Sequence, residues 1–144
     1  MAIRGGYRTH ILRVDLNEET VTREPVPCEE VLRKYVGGVG LGLYYLLKEA
    51  PRLAKATDPE TPLIFVLGPL TGTPAVNSAD WTVVSFHHCT PYSAAVGHGH
   101  GFWGAFLKHA GYEGIIFKGR ASRPTYLWID DDRVEFRDAS HLWG

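Results

Sequence analysis

The amino-acid sequence predicts an α+β fold. Short segments with strand-like patterning outnumber those with helical spacing, and they do not alternate as a regular strand–helix–strand array. A long middle stretch, residues 61–107, carries Asp80 as its sole formal charge. Uncharged chain of that length is expected to serve as core, as interface or as the floor of a ligand site.

Taken in order, residues 9–16 alternate around Ile11, Leu12, Val14 and Leu16. Asn17-Glu18-Glu19 then supplies a turn before residues 20–23, which predicts a hairpin. Pro27 precedes a short helix over residues 29–35, with Val31, Leu32 and Tyr35 on one face. The glycine-rich run Gly37-Gly38-Val39-Gly40-Leu41-Gly42 is expected to open a second helix over residues 43–50. Residues 52–62 are a polar, proline-containing connection. Residues 63–67 and 81–86 read as strands, with a loop bearing proline and glycine between them. Residues 101–110 are predicted helical, placing Phe102, Phe106 and Ala110 on one face, and Gly111 closes that helix. Residues 114–117, 125–129 and 133–136 are strands, the last two joined by Asp130-Asp131-Asp132.

Composition bounds the function. A chain of 144 residues suits one domain, residues 1–144, with 44% hydrophobic and 22% charged residues and a net charge of −1. That charge offers no electrostatic footprint for nucleic acid or an anionic membrane. The longest apolar runs are too short to span a bilayer. Cys28 and Cys89 match no zinc or iron–sulfur spacing, and reduced thiols in the cytoplasm are expected. The ending, Asp138 to Gly144, is apolar and aromatic, so the chain reads as cut short or as lacking a partner segment.

Several motifs could carry chemistry. Gly37 to Gly42 leads into a helix, where free backbone N–H groups could cradle a phosphate, although neither nucleotide fingerprint is present. Close backbone packing explains the same glycines. His98 and His100 would point the same way from an extended segment. With His87 or His88 they could form a three-histidine zinc or copper site, or they could be neutral histidines in a polar cleft. No nucleophile–base pair is assignable, since Ser93 and Cys89 lie near histidines in sequence only.

Together these pieces resemble the N-terminal domain of the aldehyde ferredoxin oxidoreductase family, the tungsten–pterin enzymes. The matching segments are residues 10–16, residues 35–42, and Leu63 to Phe65 leading into Gly68-Pro69-Leu70-Thr71-Gly72-Thr73. Gly101-Phe102-Trp103-Gly104-Ala105, Leu107-Lys108, Ala110-Gly111-Tyr112-Glu113, Lys118-Gly119-Arg120-Ala121 and residues 138–144 follow in family order. The resemblance implies an α+β domain of two β-sheets forming the base for a tungsten, or molybdenum, bis-pterin cofactor. It also implies a partner: the remainder of the oxidoreductase, on the same or a separate chain, which supplies a [4Fe–4S] cluster and the substrate cavity. The complete enzymes oxidise aldehydes to carboxylic acids and pass electrons to ferredoxin.

By the same resemblance, the family's cofactor-contacting segment falls on His98, Gly99, His100 and Gly101. Val39 and Asp80 stand where the family carries arginines, and His100 stands where a glycine approaches the cofactor. Two cations are thus lost and an anion gained beside a phosphate-bearing ligand. A like-charge contact at about 4 Å costs on the order of 4 kcal/mol at an effective dielectric near 20, and protonated histidines would recover part of it. A weakened cofactor site is the expectation. The alternative is a stand-alone scaffold that has lost redox chemistry, with metal at His87, His98 and His100. Expressed alone, the chain is expected to self-associate as a homo-oligomer through its uncharged surface.

Overall fold

The computed structural model describes residues 5–90 and 92–144. Strands β1 (His10–Asp15) and β2 (Thr20–Pro25) form the predicted hairpin. The Asp15 carboxylate holds its turn by accepting from the Asn17 and Glu18 amides. Helices α1 (Glu29–Tyr35) and α2 (Gly38–Glu49) follow, then β3 (Leu63–Leu67), β4 (Trp81–Phe86) and β5 (Ala94–Gly99). Helix α3 (Phe102–His109) leads into β6 (Tyr112–Lys118), and β7 (Thr125–Asp130) and β8 (Arg133–Asp138) close a second hairpin.

Six strands form one mixed sheet in the order β2-β1-β6-β3-β4-β5, and β7-β8 forms a separate pair. Only β1 and β6 run parallel within the six. The result is α+β with two sheets, as the resemblance implied. Residues alternate between two apolar layers. Ile11, Ile64, Val66, Val84 and Ile116 face α1 and α2. Leu12, Val14, Leu67 and Ile115 face α3 and the β7–β8 hairpin. Because both faces are covered, β3 reads as a continuous apolar run, as does Ile115 to Phe117 within β6, rather than as an alternating one.

One sequence expectation is corrected and one unassigned segment is placed. The glycine run does not precede the second helix; α2 begins at Gly38 and contains Gly40 and Gly42. Packing explains this, since a Cβ on Gly42 would sit 2.5 Å from Val84 Cγ2 and one on Gly40 would sit 2.2 Å from the Tyr35 carbonyl oxygen. Residues 94–99, to which the sequence assigned no element beyond an extended conformation around His98, form strand β5 along the edge of the sheet. They pair with β4 from Phe86↔Ala94 to Trp81↔Gly99.

A charged cluster pins the end of α2 to the sheet. Arg13 grips Glu49 with two hydrogen bonds of 2.6 Å and reaches Glu24 at 2.5 Å, while Lys118 lies 3.2 Å from Glu49. Burial pushes the Glu49 carboxyl up, but the hydrogen bonds and charges of Arg13 and Lys118 outweigh it and hold the group below its ordinary value. A carboxylate depressed on folding contributes stability above its unfolded value, 4.5, and loses it as pH falls through the folded value. Glu49→Gln should therefore cost about 2 kcal/mol at neutral pH. It should also flatten the loss of stability below pH 4.5, read from urea midpoints across a pH series.

Candidate functional site

The α1–α2 junction and the turn after β3 face each other across a groove of about 400 Å³. Val36, Gly38 and Val39 form one wall, Gly68, Pro69, Leu70 and Thr71 the other, and Asn77, Ser78, Asp80, Thr82 and His98 close it. Each wall has a local cause. Val36 is β-branched yet adopts φ +62°, a conformation costing about 1–3 kcal/mol. Its carbonyl accepts from the Tyr7 hydroxyl at 2.6 Å. Thr71 ties the other wall: its hydroxyl accepts from the Gly68 amide at 3.1 Å and donates to the Asp80 carbonyl at 2.9 Å. The Gly72 amide donates to Ser78 and the Ser78 hydroxyl to the Thr73 carbonyl, so the segment from Gly68 to Asp80 is closed on itself.

The groove lining contains no lysine or arginine. Its donors are of another kind. Helix α2 has no side-chain cap, and the first-turn amides of Gly38, Val39 and Gly40 have no partner among the described residues. Unpaired amides at a helix start carry partial positive charge and accept anions without a basic side chain. Asn77, Ser78, Thr82 and His98 add neutral polar groups. This donor set suits a flat polar ligand with negatively charged substituents, and therefore fits a pterin-type group lying against a backbone surface. No set of three or more His, Cys, Asp or Glu among the described residues is arranged to hold a metal ion.

The sequence-predicted site residues separate into distinct roles. His98 lines the groove, its Nδ1 3.4 Å from the Thr82 hydroxyl. His100 Nδ1 lies 2.5 Å from Asp80 Oδ1, both side chains being largely exposed. Asp80 and His100 extend the β4–β5 register beyond Trp81↔Gly99, so the two side chains face one another. Gly99 is explained by packing, because a Cβ there would lie 2.1 Å from the Trp81 ring. Gly101 adopts φ +91° as the residue before α3, with open space where a Cβ would be.

The three-histidine metal site does not assemble. His98 pairs with Thr82, whereas His87 follows the far end of β4; five residues of strand place it about 17 Å away. His87 is further committed as an acceptor, taking the Cys89 and Thr90 amides on Nδ1 at 3.1 and 3.0 Å. Both cysteines are free and exposed. Asn77, Ser78 and Thr82 escaped sequence reasoning. The α2 amides were expected from the glycine run, which pointed to the right segment with the wrong helix start.

The uncharged middle divides between core and surface. Ile64, Val66, Leu67 and Val84 are buried, but Leu70, Val76, Phe102 and Phe106 are exposed, and Phe102 and Phe106 stack on each other on the outer face of α3. Among the described residues no helix is long and apolar enough to cross a membrane.

A family model described as the N-terminal domain of aldehyde ferredoxin oxidoreductase matches residues 11–144. The tungsten-containing aldehyde ferredoxin oxidoreductase of Pyrococcus abyssi is 44% identical over 139 residues, covering 96% of this chain and 23% of that protein. The WOR-like subunit of an aliphatic sulfonate oxidoreductase from Pyrococcus furiosus is 41% identical, covering 96% of this chain and 22% of that protein. Among solved structures, a chain of the active-site complex BamBC of benzoyl coenzyme A reductase superposes with a TM-score of 0.93 at 36% identity. That superposition covers 99% of this chain and 21% of the other. The chain thus spans less than a quarter of the length of the relatives it matches.

Proposed function

The chain belongs to the aldehyde ferredoxin oxidoreductase family through that family's N-terminal domain, and from this premise we propose that residues 1–144 form a single cofactor-base domain. In the complete enzyme it would support a tungsten–pterin group during oxidation of aldehydes to carboxylic acids. The observation that carries the proposal is the groove beside the uncapped start of α2, on a chain that the family model matches over residues 11–144.

The bound group supplies the redox chemistry. This chain's residues bind and orient it. The free amides of Gly38 and Val39 would donate to its negatively charged atoms, and Asn77, Ser78 and His98 would offer it further polar groups. The apolar walls, Val36, Val39, Pro69 and Leu70, would limit water around it. Asp80 would repel a phosphate, but His100 lies against its carboxylate and, when protonated, offsets that charge. The exposed aromatic face of α3 and the Leu70–Val76 surface are the proposed contacts with the remainder of the oxidoreductase.

The test is elemental analysis with pterin fluorescence on the protein purified from its native host, together with whatever co-purifies. Tungsten or molybdenum with pterin is the expected result. Zinc or copper without pterin, or no metal, overturns the proposal.

A further inference from the structure

Beneath the groove lies an ion pair that the site itself does not use. Lys108, at the end of α3, is 4% exposed, and Glu113, at the start of β6, is fully buried. The ammonium reaches both Glu113 carboxylate oxygens at 2.7 Å and donates to the Gly68 carbonyl at 3.1 Å. Glu113 also accepts the Arg8 amide at 2.7 Å, and Arg8 Nε donates to the Lys108 carbonyl at 2.7 Å. The segment Gly6–Arg8 is therefore held against both walls. A Cβ on Gly6 would lie 1.7 Å from the Pro69 carbonyl oxygen, and the Tyr7 hydroxyl bonds Val36.

We propose that Lys108 is a positioning residue for the groove: its buried ammonium, neutralised by Glu113, fixes the Gly68 carbonyl and hence the turn that forms one wall. The argument rests on economy of partners. A buried ion pair repays its desolvation only when its remaining hydrogen-bonding capacity is used, and apolar residues of similar volume would stabilise the fold as well or better. Here the ammonium's remaining proton goes to the groove wall and the carboxylate's remaining capacity to the strap crossing beneath both walls. The pair touches the turn through Gly68, whose carbonyl also accepts the Thr71 amide at 3.1 Å. The inference rests on the groove being the cofactor base, but its primary readout needs no cofactor.

The test is amide hydrogen exchange on the purified chain, comparing wild type with Lys108→Met/Glu113→Gln. Glutamine keeps an acceptor for the Arg8 amide and methionine fills the lysine stem, so what is lost is the donor to Gly68. The Thr71, Gly72 and Thr73 amides should exchange about tenfold faster, while those of Ile64, Val66, Ile115 and Ile116 stay within about threefold. Val14→Ala, which opens a cavity in the apolar layer that α3 also covers without touching the ion pair's own hydrogen bonds, is the control for a general loss of stability. Unchanged exchange at Thr71 to Thr73 overturns the proposal. So does a rise at those amides matched by the core amides or reproduced by the control. Retained cofactor in wild type with several-fold less in the double variant supports it further; absence from both bears on the cofactor reading and leaves the exchange result standing.

Discussion

Lys108→Met alone is expected to destabilise the chain by about 3–5 kcal/mol, because it leaves the fully buried Glu113 carboxylate without its ammonium. The Arg8 amide remains as its partner and is too weak to hold a buried charge by itself. Burial already pushes the Glu113 carboxyl up, against the opposing pull of Lys108. Removing Lys108 leaves burial to act nearly alone and raises it further. A carboxyl raised on folding contributes most below its unfolded value, 4.5, and loses that contribution as pH rises through the folded value. The variant should therefore be closest to wild type in acid and furthest from it near neutrality. Adding Glu113→Gln should recover most of the loss at neutral pH. Urea midpoints for wild type, single and double variants at two pH values decide the matter; a single variant as stable as wild type at neutral pH would show that the pair carries no net coupling.

The second large effect is expected at Trp81. Its indole stacks on Phe65 at 5.9 Å and packs against Trp103 at 4.8 Å, filling the space under β5 and α3. Trp81→Ala should cost about 3–5 kcal/mol. The loss is partly offset because the indole N–H is buried without a partner among the described residues. Gly99 tests the same contact from the other side. A methyl group there must displace the indole, which Phe65 and Trp103 hold in place, so Gly99→Ala should cost about 1–3 kcal/mol. In Trp81→Ala the added methyl meets empty space, and its cost should vanish. Chemical denaturation of the four proteins closes this cycle. A neutral Gly99→Ala in the wild-type background would remove the packing explanation and return Gly99 to the ligand.

Much of the architecture was legible before any coordinates. Residues 63–67 and 81–86 were readable as strands because continuous β-branched and aromatic runs admit few other states. The β7–β8 hairpin was readable from its aspartate turn, and α1 and α3 from their apolar spacing. Strand β5 was not. Ala94-Ala95-Val96-Gly97-His98-Gly99 has little intrinsic strand preference, and its conformation comes from pairing with β4. The start of α2 was misplaced for a related reason. Glycine disfavours helix locally, but at Gly40 and Gly42 only a missing side chain lets α2 approach its neighbours.

The site was half legible. His98 and Asp80 drew attention as polar residues in an uncharged stretch, and both line the groove. Lys108 and Glu113 drew none as a pair, because a lysine near the end of an amphipathic helix ordinarily sits in water. The sequence by itself determined the family, the α+β class and the poverty of charge around the groove, since these follow from local pattern and residue type. Only the tertiary structure decided that Asp80 meets His100, that Lys108 supports Gly68 from below, and that the histidines are too far apart to share a metal. Those outcomes depend on strand register and on contacts between residues as much as 40 positions apart in the chain, and local pattern carries no information at that range.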